Sequence, residues 1–227
     1  MSCGRTIIKS INENKRTIHK RTIHKRNDSV MGKILLASAS PRRKEILQKA
    51  GVRFSVSVSQ EEETITKSAP DEVVEELAGK KAYAVLKQNQ EEGILVIGAD
   101  TVVSLDGEIL GKPKDEEEAV SVLMRLQGRT HEVYTGVAVL RMENGEIKEH
   151  VFSECTKVEF YPVSRKEIED YVATREPMDK AGSYGIQGAF SAYVKGIRGD
   201  YYNVVGLPVG RLFWEMKKAG ISLREEE

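Results

Sequence analysis

From Met31 onward, apolar runs of strand length alternate with segments whose apolar residues recur at helical spacing. That rhythm constrains the chain more than any other feature, because it is the rhythm of an α/β fold. Ile34 to Ala37 reads as a first strand, and Ser40-Pro41 opens a helix with Ser40 as N-cap and Pro41 at the favoured first position. Gly51 stops that helix. A second helix is expected from Pro70 to about Leu86, followed by the apolar strand Ile94 to Ile97, which runs into Gly98-Ala99-Asp100-Thr101. Asp106-Gly107 and Asn144-Gly145 are hairpin turn signals, the first between Thr101 to Leu105 and Glu108 to Leu110, the second between Val133 to Leu140 and Val151 to Phe160. Asp115 with Glu118, and Ser164 with Glu167, have capping-box spacing at two further helix starts. Val209, Leu212, Phe213 and Met216 form the apolar stripe of a last helix that Gly220 ends.

Several residues do not fit a purely structural reading. Ser38-Ala39-Ser40-Pro41-Arg42-Arg43 places two hydroxyls and two guanidinium groups at a strand-to-helix junction, where open backbone N–H groups favour an anion. On the hexapeptide alone, a plain N-cap followed by solvated arginines is the alternative. The Walker phosphate-loop spacing is absent, so a phosphate site here is of another kind. Asp100 ends an apolar strand, where a bare carboxylate costs several kcal/mol unless a metal ion, an activated water or backbone N–H groups compensate it. Glu61-Glu62-Glu63 can add a carboxylate to such a site, or be a solvated turn.

Lys81 shares one helical face with Val74, Leu77, Ala78, Ala82 and Val85, so it either snorkels to the surface or points into an anionic site. Lys112, in Gly111-Lys112-Pro113, is a weaker candidate of the same kind. In Asp179 to Gly188 three glycines permit close backbone approach, and Gln187 offers a donor and an acceptor suited to a nucleobase edge. A plain glycine-rich connection is the other reading.

Charge and composition narrow the partners. The chain of 227 residues is 40% apolar and 31% charged, ordinary for a globular protein, and has no apolar run of membrane-spanning length. Its formal net charge of zero conceals an asymmetry, since residues 1–30 hold eight basic side chains against Glu13 and Asp28. The rest of the chain is therefore net acidic, which argues against a broad nucleic-acid surface. The pentad Arg-Thr-Ile-His-Lys occurs twice in this extension, at 16–20 and 21–25, and reads as disordered. Residues 1–30 are taken as a dispensable extension, with a natural start at Met31, and 31–227 as one domain. A nucleic-acid or membrane arm is the competing view of the extension. Cys3 and Cys155 match no disulfide or zinc spacing, so a reducing, cytoplasmic setting is expected.

Taken in order, seven segments resemble the Maf family of nucleoside triphosphate pyrophosphatases over Gly32 to about Gly220. They are Leu35 to Arg43, Leu77-Ala78-x-x-Lys81-Ala82, Ile97 to Val103, Gly111-Lys112-Pro113, Tyr134-Thr135-Gly136, Asp179 to Gly188 and Val205-Gly206-Leu207-Pro208. The resemblance implies an elongated α/β mixed-sheet fold similar to the inosine triphosphate pyrophosphatases, with two lobes, a central cleft and homodimerisation. It implies hydrolysis of a nucleoside triphosphate between the α and β phosphates with a divalent cation, Mg²⁺ or Mn²⁺. Asp100 matches the family's proton acceptor, and Arg42, Thr101 and Gln187 match determinants of substrate choice. Ser38, Arg43, Glu63, Lys81 and Lys112 match positions associated with phosphate or metal, with Glu63 and Asp100 as the metal carboxylates. The segment around Gln187 resembles the branch acting on dTTP and UTP and differs from the branch acting on 7-methyl-GTP. A nucleotide-binding regulator of cell division, with little turnover, is the alternative the family's name suggests.

Overall fold

The computed structural model describes residues 33–58 and 64–224. The 1–30 extension and Glu63 lie outside the described residues. In chain order the elements are β1 (Ile34–Ala37), α1 (Pro41–Lys49), β2 (Ser55–Val56), α2 (Pro70–Gln88), β3 (Leu95–Leu105), β4 (Glu108–Leu110), α3 (Glu116–Leu126), β5 (Thr130–Glu143), β6 (Glu146–Phe160), α4 (Arg165–Val172), β7 (Val194–Arg198), α5 (Tyr201–Val205) and α6 (Val209–Lys218). The segment between α4 and β7 is built of short 3-10 turns.

Six strands run β2-β1-β3-β5-β6-β7 in one seven-stranded mixed sheet, with β4 paired to β3 off that path. The β2, β1 and β3 pairings are parallel, and the others are antiparallel. The long central strands follow from the hairpin turns that the sequence marks. Asp106-Gly107 and Asn144-Gly145 all have positive φ, as a two-residue turn matching strand twist requires. The two strands beside Asn144-Gly145 extend further than their apolar runs, because polar residues fill the solvent-facing positions of β5 and β6.

The sheet is packed on both faces. On one, Ile34 and Leu36 of β1, Leu95, Ile97 and Ala99 of β3 and Val137 and Val139 of β5 meet Ile46 and Leu47 of α1 and Leu212 and Met216 of α6. Further along β3, Val103 and Leu105 pack with α3 and α4 through Leu123, Leu126 and Ile168 in a separate core. On the opposite face, Ala78, Ala82 and Val85 of α2 lie on Val96, Ala138 and Leu140. No helix among the described residues is long and apolar enough to cross a membrane.

Two caps differ from expectation. Ser40 is the N-cap residue of α1, yet its side chain makes no cap bond. Instead the Ser40 N–H donates to the Ser38 hydroxyl at 3.3 Å, so Ser38 shapes the junction. At α3 the Asp115 carboxylate accepts from the Glu118 N–H at 2.8 Å, whereas the Glu118 carboxylate takes the Lys114 N–H rather than that of Asp115. The Ser164–Glu167 box is complete.

Candidate active site

Strand pairing creates the site. The β1–β3 ladder ends at Ala37 opposite Gly98, and the β3–β4 ladder begins at Val103, so the edge of β3 from Ala99 to Val102 has no strand beside it on that side among the described residues. Asp100 and Thr101 sit in this gap, where the chain of β1 leaves the sheet to start α1. Crevices at such points, where neighbouring strands part, are the usual ligand sites of open α/β sheets.

The period of two along β3 then divides the labour. Asp100 shares a face with Gly98 and points towards α2, while Thr101 points towards α1. Helix α2 lies unusually close to the sheet. A Cβ on Gly98 would stand 2.3 Å from the Ala78 carbonyl oxygen, and one on Gly136 of β5 would stand 2.3 Å from the Val74 carbonyl. Gly136 is the cross-strand partner of Asp100, so both glycines bring α2 down at the level of the carboxylate. The result is an ion pair, with Lys81 Nζ donating to Asp100 Oδ1 at 2.5 Å and both side chains mostly buried. The structure thus sets an ammonium against Asp100, a compensating group outside the metal ion, activated water and backbone N–H groups that the sequence left open.

On the other side, Arg43 is buried and fastens three segments together. Its Nε donates to the Gly206 carbonyl at 2.7 Å, one terminal nitrogen to Ser38 Oγ at 3.0 Å and the other to Thr101 Oγ1 at 3.0 Å. Thr101 is in turn 2.9 Å from Thr135 Oγ1, whose hydroxyl also lies 2.9 Å from the Asn203 carbonyl. Arg42 is more exposed and pairs with Asp179 across the cleft at 3.3 Å. Burial would raise the Asp179 carboxyl, but Lys180 and Arg42 outweigh it and hold it below its ordinary value.

These residues enclose one cavity of about 910 Å³. Ser38, Arg42, Arg43, Lys81, Asp100, Thr101, Lys112 and Gln187 all line it, so eight of the nine residues singled out in the sequence come together. Its described wall carries seven cationic side chains, Arg42, Arg43, Lys80, Lys81, Lys87, Lys112 and Lys180, against Asp100, Glu176 and Asp179. A cationic hollow in a net acidic domain is suited to a polyanion.

The sequence reading passed over Glu176, which also lines the cavity, and Asn203 behind it, and it named Lys180, Tyr184 and Thr135 only within matched segments, with no role of their own. Gly136 was legible in principle, since a glycine inside a strand pattern signals close backbone approach. Glu176 follows an arginine in a polar stretch and carries no such signal.

A protein from Lachnoclostridium phytofermentans named dTTP/UTP pyrophosphatase is 49% identical over 194 residues, covering 85% of this chain and 98% of its own. One of the same name from Agathobacter rectalis is 50% identical, covering 85% of this chain and all of its own length. Among solved structures, a nucleoside-triphosphatase / dITP/XTP pyrophosphatase from Mycobacterium abscessus is 16% identical with a TM-score of 0.38, over 58% of this chain and 76% of that one. The model of the family described as Maf-like protein matches residues 33–219, and the chain belongs to that family.

Proposed function

We propose that this protein hydrolyses dTTP and UTP between the α and β phosphates, releasing the nucleoside monophosphate and pyrophosphate. The observation that carries the reading is the Asp100 carboxylate, set in the gap of the sheet, paired with Lys81 and facing a cavity otherwise rich in cations. The relatives at about half identity bear the corresponding name. They do not favour a regulator with little turnover.

In this reading, water attacks the α phosphorus and loses a proton to Asp100 as the bond to the bridging oxygen of the β phosphate breaks. Lys81 fixes one oxygen of Asp100, leaving the other to orient the water. Arg42 and Lys112 take up charge on the departing pyrophosphate. Arg43 acts from its fixed place between Ser38 and Thr101, holding that wall of the cavity in register. Arg42, Thr101 and Gln187 select the nucleotide, with Gln187 reading the base edge.

Among the described residues no three acidic, histidine or cysteine side chains gather into a metal cage. A single carboxylate fits a hard cation that keeps most of its waters and arrives on the substrate phosphates. Asp100 would hold Mg²⁺ or Mn²⁺ in this way, and Glu63, the second metal carboxylate that the resemblance implies, lies outside the described residues. When bound, the ion supplies neutralisation of phosphate charge. The reading also takes the protein as a cytoplasmic homodimer, for which sedimentation at twice the 25.4 kDa chain mass is the check.

A panel of nucleoside triphosphates assayed for pyrophosphate tests the proposal. Release should be greatest with dTTP and UTP. Release of orthophosphate instead, or binding without turnover, would contradict it.

A further inference from the structure

We propose that Glu176 is a positioning residue for base selection, the hub on which the loop carrying Gln187 is wound. This rests on the reading of Gln187 as the group that meets the base.

Glu176 starts the short 3-10 turn Glu176–Asp179, just after Arg175, a non-glycine residue held at φ 63°. Its two carboxylate oxygens have separate duties. Oε1 accepts from the Tyr171 hydroxyl at 3.1 Å, and Oε2 accepts from the Ala189 N–H at 3.1 Å. The Tyr171 oxygen in turn accepts from the Gly185 N–H at 3.3 Å. The loop is therefore tied to one carboxylate at both ends, directly at Ala189 and through a phenol at Gly185. Between the ties, the Gly188 N–H donates to the Gly185 carbonyl at 3.1 Å and closes a turn with Gln187 inside it.

The glycines of this loop have their explanation here. Neither Gly185 nor Gly188 has a positive φ. A Cβ on Gly188 would lie 1.8 Å from Glu176 Oε1, and one on Gly185 would lie 2.8 Å from Lys180 Cε and 3.1 Å from Glu176 Oε1. Both are small so that the backbone can close over the Glu176 side chain. Alanine at position 176 removes the acceptor from two donors and leaves a space under the turn, so Gln187 loses its fixed position. Glutamine keeps a carbonyl for the Ala189 N–H, and its amide can donate to the Tyr171 oxygen, so it should preserve the loop.

The test compares kcat and KM for UTP and CTP in the wild type, Glu176→Ala, Glu176→Gln, Tyr171→Phe and Gln187→Ala, with amide hydrogen exchange over 185–189. Glu176→Ala should lower the UTP to CTP ratio of kcat/KM about tenfold, mainly through KM for UTP, and speed exchange across the loop. Glu176→Gln should restore both. Tyr171→Phe should shift both in the same direction by less, and it serves if the alanine variant fails to fold. If Gln187→Ala changes the ratio and the Glu176 and Tyr171 variants do not, the role of Glu176 is overturned while base reading by Gln187 stands. If Gln187→Ala also leaves the ratio unchanged, the loop does not read the base and both fall.

Discussion

At the scale of single residues, the site is organised by one short ion pair. The carboxylate of Asp100 and the ammonium of Lys81 are each costly to desolvate alone, and each offsets that cost for the other. This makes replacement of Lys81 a poor probe, since it disturbs structure and chemistry together. Asp100→Asn is the cleaner one, because the amide keeps the shape and a hydrogen-bond acceptor but cannot take a proton. Loss of a general base costs about 10²- to 10⁴-fold in rate. The account predicts a fall of that size in pyrophosphate release with the circular dichroism spectrum unchanged, whereas a loss of only a few fold would assign Asp100 a structural part. Much of this site was legible before the structure. Residues with a chemical reason to stand out, such as a lysine on an apolar stripe or a carboxylate after an apolar run, line the cavity, although Asp100 lies midway along β3 and does not end the strand. The residues left without a role are those whose part exists only through a distant partner. Thr135 looks like any strand threonine until Thr101 and Asn203 are placed beside it, 34 and 68 residues away in sequence.

At the scale of elements, the distance between α2 and the sheet sets the distance between Lys81 and Asp100. Gly98 faces the Ala78 carbonyl so closely that an added methyl group would have to push the helix backbone outward. Backbone gives way less readily than a side chain, and overpacking of this kind costs about 1–3 kcal/mol. Gly98→Ala should therefore lower the melting temperature and reduce pyrophosphate release together, with no contact to substrate altered. Unchanged melting, or lost stability with full activity, would show that α2 spacing does not govern the pair. The elements that the sequence made plain are those with strong periodicity or explicit punctuation. The helix from Pro70, the hairpins at 106–107 and 144–145 and the Ser164 capping box lie where their residues indicate. β2, β7 and α5 were not foreseen. β2 has two residues, β7 is largely exposed edge without apolar alternation, and α5 is a five-residue turn with an Asp200 cap, so each owes its form to its neighbours.

At the scale of the whole molecule, stability and function draw on different charges. His131 is buried between Phe160 and Tyr184, with its Nε2 2.9 Å from the Tyr184 hydroxyl. Burial lowers its pKa to about 4 in the fold. The unfolded imidazole titrates near its ordinary value of about 6.5, so between these values the unfolded chain binds more protons. This contribution to stability is complete above about pH 6.5 and is lost as pH falls towards 4, with a full size on the order of 3 kcal/mol. Thermal melting over that range should show the decline, and His131→Asn should flatten it even from a lower starting stability. An identical slope in the variant would assign the acid sensitivity to other groups.

The cavity, by contrast, concentrates positive charge within a domain whose remainder is net acidic, which fits recruitment of a triphosphate to a single place. The central claim is that water enters at the α phosphorus there. Turnover of UTP in ¹⁸O-enriched water, with mass analysis of both products, tests it directly. The account predicts UMP and pyrophosphate as the products, with the label on the UMP phosphate. Label in the pyrophosphate, or UDP and orthophosphate as products, would contradict it.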